Sequence, residues 1–331
     1  MSEVVRLRAH AKVNLALRVG APGADGYHPL ATVFQTISLA DRLSARPLPA
    51  EEPLSRLHPD VPLQLSVEGI PLPEHNTVTH AVTLLAELVR GRGETSLRPL
   101  SVRLKKRVPI GAGLGGGSSD AVAALVACAR LWLPGSALPP DDDLLAIARQ
   151  VGADVPYFLT GGTALGTGRG DQIVPLEELP RQWLVIAAPC SVSVATPAAY
   201  AAFDEARGWH GGGIAGGSIG VSPERSEPPA AASELATPEY TCNLDPAWMG
   251  NDLHPAVIRL QPEVEEARLA LQAAGAGIAQ MSGSGAASFG SFLGRREAQR
   301  AAGILRARGF RSWACVTVSR HQHARALSNL D

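Results

Sequence analysis

Pro109-Ile110-Gly111-Ala112-Gly113-Leu114-Gly115-Gly116-Gly117-Ser118-Ser119-Asp120, followed at once by Ala121-Val122-Ala123-Ala124-Leu125-Val126-Ala127, carries the strongest chemical signal in the chain. Five of the seven residues from Gly111 to Gly117 are glycine, the residue that loses most backbone freedom on folding. Such a run permits the close approach of backbone N–H groups to a ligand. The segment after it is a good helix former, and Ser118, Ser119 and Asp120 are preferred helix-start residues. The loop therefore leads to a helix N-terminus, where unpaired N–H groups and the helix dipole favour an anion such as phosphate.

Two familiar phosphate loops are set aside. The Walker pattern requires a lysine before its Ser/Thr, and this loop has none. Gly111, Gly113 and Gly116 match G-x-G-x-x-G formally, but the preceding strand is charged. About 20 positions on, no acidic residue stands at a strand end, and Asp141 to Asp143 read as a helix start.

Outward from the loop, strand-like pieces (Val4 to Arg8, Val13 to Val19, Gln64 to Glu68, Ser101 to Leu104) alternate with helical ones (Val78 to Arg90, Ser119 to Leu131, Asp142 to Val151). Val4-Val5-Arg6-Leu7-Arg8 and Val102-Arg103-Leu104-Lys105 alternate apolar with basic residues. That pattern fits half-exposed, antiparallel strands and an α+β fold better than a fully covered parallel sheet. After Gly161-Gly162 the alternation resumes, with Trp183 to Ala188 as a strand and Pro262 to Ala274 as a helix. At roughly 150 residues per domain, 331 residues suggest two, divided here as 1–165 and 166–331. Residues 204–240, rich in Gly, Ser, Pro, Ala and Glu, read as a flexible surface insertion.

Composition narrows the function classes. With 45% hydrophobic residues, 18% charged and a formal net charge of -1, the chain can bury a core but lacks the basic excess of a general nucleic-acid binder. No run approaches the roughly 18 apolar residues of a membrane span, and Arg6, Arg8, His10 and Lys12 interrupt any signal-peptide core. A cytoplasmic protein with no membrane or nucleic-acid partner is expected. Cys128, Cys190, Cys242 and Cys315 form no C-x-x-C pair and read as small core residues. His321-Gln322-His323 reads as a solvated tail feature rather than a metal site.

The chain has 27 Arg and only three Lys: Lys12, Lys105 and Lys106. In Ala11-Lys12-Val13-Asn14-Leu15, Lys12 and Asn14 project from one strand face and Val13 and Leu15 from the other. A lysine retained here fits a need for a compact point charge. In Gly152-Ala153-Asp154-Val155-Pro156, Asp154 follows a glycine helix stop and sits among apolar residues, where a carboxylate needs a partner. A cation such as Lys12 would keep it ready to accept a proton.

Together with Asp25-Gly26-Tyr27-His28 and Ser282-Gly283-Ser284-Gly285-Ala286, these segments resemble the GHMP kinase superfamily. Within it they are most similar to the branch whose acceptor is a cytidyl-diphospho-methylerythritol, and the D-G-Y-H element separates that branch from its relatives. The resemblance implies an N-terminal ribosomal-S5-like domain, a C-terminal ferredoxin-like domain and an active site in the cleft between them. It implies transfer of the ATP γ-phosphoryl group to the 2-hydroxyl of the methylerythritol moiety, with the loop from Pro109 to Ser119 cradling ATP. Asp154 matches the catalytic base, Lys12 its partner, and Asn14 a holder of the acceptor. Tyr27 and His28 match cytidine-recognising residues, and Phe34 and Tyr200 the aromatic pair around the cytosine. Magnesium is expected with ATP, without an identified protein ligand. Arg169 and Asp171 depart from the superfamily pattern near the nucleotide pockets. A kinase for homoserine, mevalonate or a sugar, or a catalytically silent nucleotide-binding module, remain the competing readings.

Overall fold

The first strand, β1 (Val5–Val19), is unusually long, and its pattern explains much of the architecture. A computed structural model describes residues 4–49, 57–69, 72–93, 96–133, 141–209 and 248–328. Val5, Leu7 and Ala9 face one hydrophobic cluster, while Ala11, Val13 and Leu15, on the same odd-numbered parity, face another. The switch coincides with a slip in the pairing of β1 with β2 (Leu30–Pro47) between His10 and Lys12. There β1 advances two residues while β2 advances four, from Ala40 to Thr36, which interrupts the ladder. Arg6 and Arg8 face solvent, whereas Lys12 and Asn14 are buried.

The larger sheet runs in the order β3 (Leu63–Glu68), β4 (Leu100–Lys105), β2, β1, β8 (Gly250–Asn251), with β5 (Thr163–Gly168) pairing further along β2 and β6 (Gln172–Pro175) pairing β5. Pairing is antiparallel as the alternation predicts, except that β3 with β4 and β1 with β8 are parallel. Helices α1 (Thr77–Gly91), α2 (Gly116–Trp132), α3 (Asp141–Val151) and the short α4 (Val155–Thr160) cover one face through a core that includes Leu85, Leu125, Ile147 and Phe158.

The smaller sheet has the order β11 (Arg311–Val316), β7 (Trp183–Ala188), β10 (Ser288–Phe292), β9 (Ala279–Met281). Alternation along β7 is clean. Val185 and Ala187 pack against helices α7 (Glu263–Ala273) and α8 (Arg295–Ala307), and Leu184 and Ile186 pack against Val13, Leu15 and Ile37 of the larger sheet. Each sheet thus has a helical layer, and the two share one apolar seam, an α+β architecture. Helices α5 (Thr196–Arg207) and α6 (His254–Leu260) pack together beside it.

Of the insertion expected at 204–240, residues 204–207 close α5, and 210–240 lie outside the described residues, as does Cys242. Cys128 and Cys315 are buried as expected; Cys190 is exposed. Of His321-Gln322-His323, the first two are exposed as expected and the third is not. His323 is 1% exposed in the last helix, α9 (Arg320–Ala326), and its Nε2 donates to the Phe158 carbonyl at 2.8 Å. No helix among the described residues is long and apolar enough to cross a membrane.

Candidate active site

The outer edge of β1 is paired by β8 only at Ala16 and Leu17, which leaves the N–H groups of Lys12 and Asn14 free for other partners. Lys12 N–H donates to the Leu114 carbonyl (3.0 Å), and Asn14 N–H donates to Ser282 Oγ (3.2 Å). Two glycine-rich loops, one from each sheet's territory, therefore dock side by side on one strand. They also bond each other: Ser282 Oγ donates to the Gly113 carbonyl (3.2 Å) and Ala287 N–H to the Ala112 carbonyl (3.1 Å). Gly113, at φ 72°, has no room for a Cβ, which would meet the Ser282 carbonyl oxygen.

The loop ends differently from the expected Ser cap. Gly115, left-handed at φ 67°, is the N-cap of α2, and no side chain caps the helix. Ser118, Ser119 and Asp120 lie inside the first turns. Helix-start N–H groups with no side-chain acceptor are suited to an anion. Behind them Lys106 donates to both Asp41 and Asp120, at 2.6 Å from the latter. Burial alone would lower the Lys106 pKa, but the two carboxylates carry it above its ordinary value. Burial pushes the Asp120 carboxyl above the usual range despite Lys106, and Asp41 adds to the rise. Asp41 Oδ1 also accepts from the N–H groups of Arg107 and Val108 (2.8 Å for the latter), anchoring the entry to the loop. The sequence reading missed Asp41, although a lone acid inside the apolar run of β2 was its signal. Lys105 points away to exposed Glu68, so only one of the adjacent lysines belongs to the site.

Lys12 is 3% exposed, with its Nζ 3.2 Å from Asp154 Oδ2 and donating to Asn14 Oδ1 at 2.6 Å. Asn14 Nδ2 in turn donates to Thr32 Oγ1 (2.8 Å), so the amide that orients Lys12 is itself oriented. Lys12 also stands 5.3 Å above the Phe34 ring. Asp154 precedes α4 but caps nothing, and its side chain is 36% exposed, more open than its apolar neighbours suggested.

All of these border one cleft of about 660 Å³. At its near end are Lys12, Asn14, Phe34, Asp154 and Tyr200; the glycine loop crosses the middle; Leu72, Pro73, His75, Asn76 and Thr77 close the far end. That far wall was also missed. Its signal was Asn76 before a helical run, and Asn76 does cap α1, its Oδ1 accepting from Val78 N–H (2.9 Å) and Thr79 N–H (3.2 Å). Tyr27 and His28 do not line the cleft. His28 lies behind Tyr200 with ring centroids 5.1 Å apart, its Nδ1 donating to the Gly20 carbonyl (2.9 Å) and its Nε2 3.2 Å from Asp204. Arg169 stacks 3.7 Å from the centroid of the Tyr27 ring and pairs with Asp25 at 2.8 Å, clamping the D-G-Y-H segment to the cleft rim.

The donor set suits a nucleoside triphosphate: a backbone cradle with no space for side chains, an uncapped helix start and a neighbouring lysine. Asp120 Oδ1, buried with no hydrogen-bond partner, is a hard oxygen donor that fits a magnesium ion.

Comparison with known proteins decides the family. Residues 76–162 match the model of the GHMP kinases N terminal domain and 239–310 that of the GHMP kinases C terminal. The 4-diphosphocytidyl-2-C-methyl-D-erythritol kinase of Salinispora tropica is 38% identical over 309 residues, covering 92% of this chain and 88% of its own length. The chain belongs to the 4-diphosphocytidyl-2-C-methyl-D-erythritol kinases. The Moorella thermoacetica member of this kinase family is 37% identical, covering 92% of this chain and 95% of its own. A crystal structure titled as a 4-(cytidine 5'-diphospho)-2C-methyl-D-erythritol kinase superposes with a TM-score of 0.66 at 34% identity, covering 94% of this chain and 98% of its own. Homoserine kinase from Cytophaga hutchinsonii, at 19% identity and a TM-score of 0.63, shares the fold. As a member of this kinase family the chain is an ATP-using phosphotransferase acting on an alcohol group of a small molecule.

Proposed function

We propose that this kinase transfers the γ-phosphoryl group of ATP to the 2-hydroxyl of 4-diphosphocytidyl-2-C-methyl-D-erythritol, a step of the non-mevalonate isoprenoid route, in a cytoplasmic setting. The observation that carries the reading is the Lys12–Asp154 pair, 3.2 Å apart beside the uncapped start of α2. The names of the relatives support the acceptor.

In this reading the loop from Pro109 to Ser119 holds the phosphates through backbone N–H groups. The acceptor oxygen bonds to the γ-phosphorus as the bond to the β–γ bridging oxygen breaks, and ADP leaves. The hydroxyl proton passes to Asp154, while Lys12 balances charge on the acceptor and transferring group. Phosphoryl transfer asks the protein mainly for this positioning and charge stabilisation. Asn14 fixes Lys12 and borders the acceptor. Phe34 and Tyr200 flank the cytosine, with His28 backing Tyr200 from outside the cleft and Tyr27 held at the rim by Arg169. Asp120 is the residue that would hold a magnesium ion beside the phosphates, where the ion would supply charge neutralisation.

The test is an acceptor panel. Purified protein is expected to release ADP with the cytidyl-diphospho acceptor and not with mevalonate, homoserine or galactose; comparable turnover on mevalonate would overturn the reading. Asp154→Asn is expected to lower kcat by about a thousandfold or more while ATP still binds, the scale of losing a positioned base and its charge. An unchanged rate removes Asp154 from the chemistry.

A further inference from the structure

At the border of the cleft, one cluster among the described residues has metal-ligand chemistry that the kinase reaction does not use. His58, Asp60 and His75 each offer a ligand atom, and the three atoms lie within 4.8 Å of one another. His58 and Asp60 belong to the turn that precedes β3, while His75 immediately precedes Asn76, the cap of α1. The cluster thus ties two segments separate in sequence.

We infer that His58, Asp60 and His75 form a site for a divalent transition-metal ion of the zinc class. Two imidazoles and one carboxylate are the donors that zinc and its first-row neighbours select, and hard ions such as magnesium prefer all-oxygen sets. The rings of His58 and His75 meet edge to face, at 87° with centroids 5.3 Å apart. A second observation points the same way. The His58 side chain is only 7% exposed, yet its Nε2 is buried without a hydrogen-bond partner. Asp60 N–H donates to the other nitrogen, Nδ1, at 3.3 Å. A buried ring nitrogen left unsatisfied is costly. Asp60, 57% exposed, and His75, also exposed, leave the opposite side open to solvent. Three protein ligands with the remaining position open to water make a complete zinc coordination set. A pocket of about 380 Å³ lies over the cluster, bordered also by Asn76, Thr79 and His80.

Position gives the site its interest. His75 lines both this pocket and the far end of the kinase cleft. An ion on His75 would pin the cap of α1 to the turn before β3 and stiffen the wall of the cleft beyond the glycine loop.

Cobalt(II) and zinc(II) titrations of the full-length protein, free of any affinity tag, test the inference. Cobalt is expected to give visible d–d absorption saturating at one equivalent, and zinc to displace it while excess magnesium does not. His75→Ala and Asp60→Ala, both at exposed positions where folding is not at risk, are each expected to weaken zinc binding by about tenfold or more, since outer partners of a metal site alone are worth that much. His80→Ala, outside the triad, is expected to retain it. Absence of a saturable equivalent overturns the inference, as does binding that survives both His75→Ala and Asp60→Ala.

Discussion

Lys12 shows how narrowly one side chain is fitted. Its Nζ is shared between Asn14 and Asp154, its stem lies against the position a Cβ on Gly115 would take (3.1 Å), and it has 3% exposure. A guanidinium is planar and wider, and cannot enter this space without displacing Phe34 or the loop. Lys12→Arg is therefore expected to lower kcat by roughly a hundredfold or more with the ATP dissociation constant changed little, checked by steady-state kinetics and a separate binding titration. Wild-type turnover would show that any cation suffices there. The residue was legible because the chain has so few lysines, and Asp154 because a carboxylate followed a glycine stop. Asp41 and Arg169 were not, because their roles depend on long-range partners: Asp41 reaches Lys106 and Val108, and Arg169 reaches Asp25 across 144 positions.

At the scale of elements, the glycine loop and the slip in the β1–β2 pairing meet at Lys12, whose N–H donates to the Leu114 carbonyl. Period-two reading puts Lys12 on the same face as Arg6 and Arg8, in solvent; beyond the slip after His10 it is buried instead. Such a slip leaves no sign in one sequence, so the face of Lys12 was readable within Ala11 to Leu15 but not across the whole strand. The glycines, by contrast, announced their loop, although the Ser residues pointed to a side-chain cap where Gly115 stands instead. Their reasons differ by position. At Gly113 the backbone is left-handed and a Cβ would enter the Ser282 carbonyl, whereas Gly117 lies in the helix, where an added Cβ would stand 3.3 Å from Thr77 Oγ1. Gly113→Ala is expected to destabilise by more than about 2 kcal/mol, from the left-handed backbone and the clash together. Gly117→Ala is expected to stay within about 1 kcal/mol of wild type, because alanine is the better helix former and its one close neighbour is a side chain. Urea unfolding of the two variants checks the contrast; equal effects would mean that the two loops separate without penalty.

Across the whole molecule, the chain's last helix closes the structure by returning to its first strand. Val318 N–H donates to the Thr36 carbonyl (2.9 Å), Arg320 N–H to Glu178 Oε1 (2.8 Å), and His323 of α9 lies 5.6 Å, ring to ring, from His10 of β1. Both imidazoles are buried. Desolvation chiefly, with the nearby His323 and the Arg8 charge, lowers the His10 pKa from 6.5 to about 3. Desolvation also lowers that of His323, against the hydrogen bond to Phe158 that raises it. The native state therefore keeps His10 neutral where the unfolded chain takes up a proton. Stability from this group is complete above pH 6.5 and falls as the pH drops from there toward 3, by about 1.4 kcal/mol per pH unit for one proton. At pH 5 the loss from His10 alone is about 2 kcal/mol. His10→Gln, neutral at every pH, removes that term. Its unfolding free energy, measured in urea at pH 7 and pH 5, is expected to fall less than the wild type's by this amount, whatever the substitution costs at pH 7. Parallel losses in the two proteins would mean that the closure of α9 on β1 does not depend on a neutral His10.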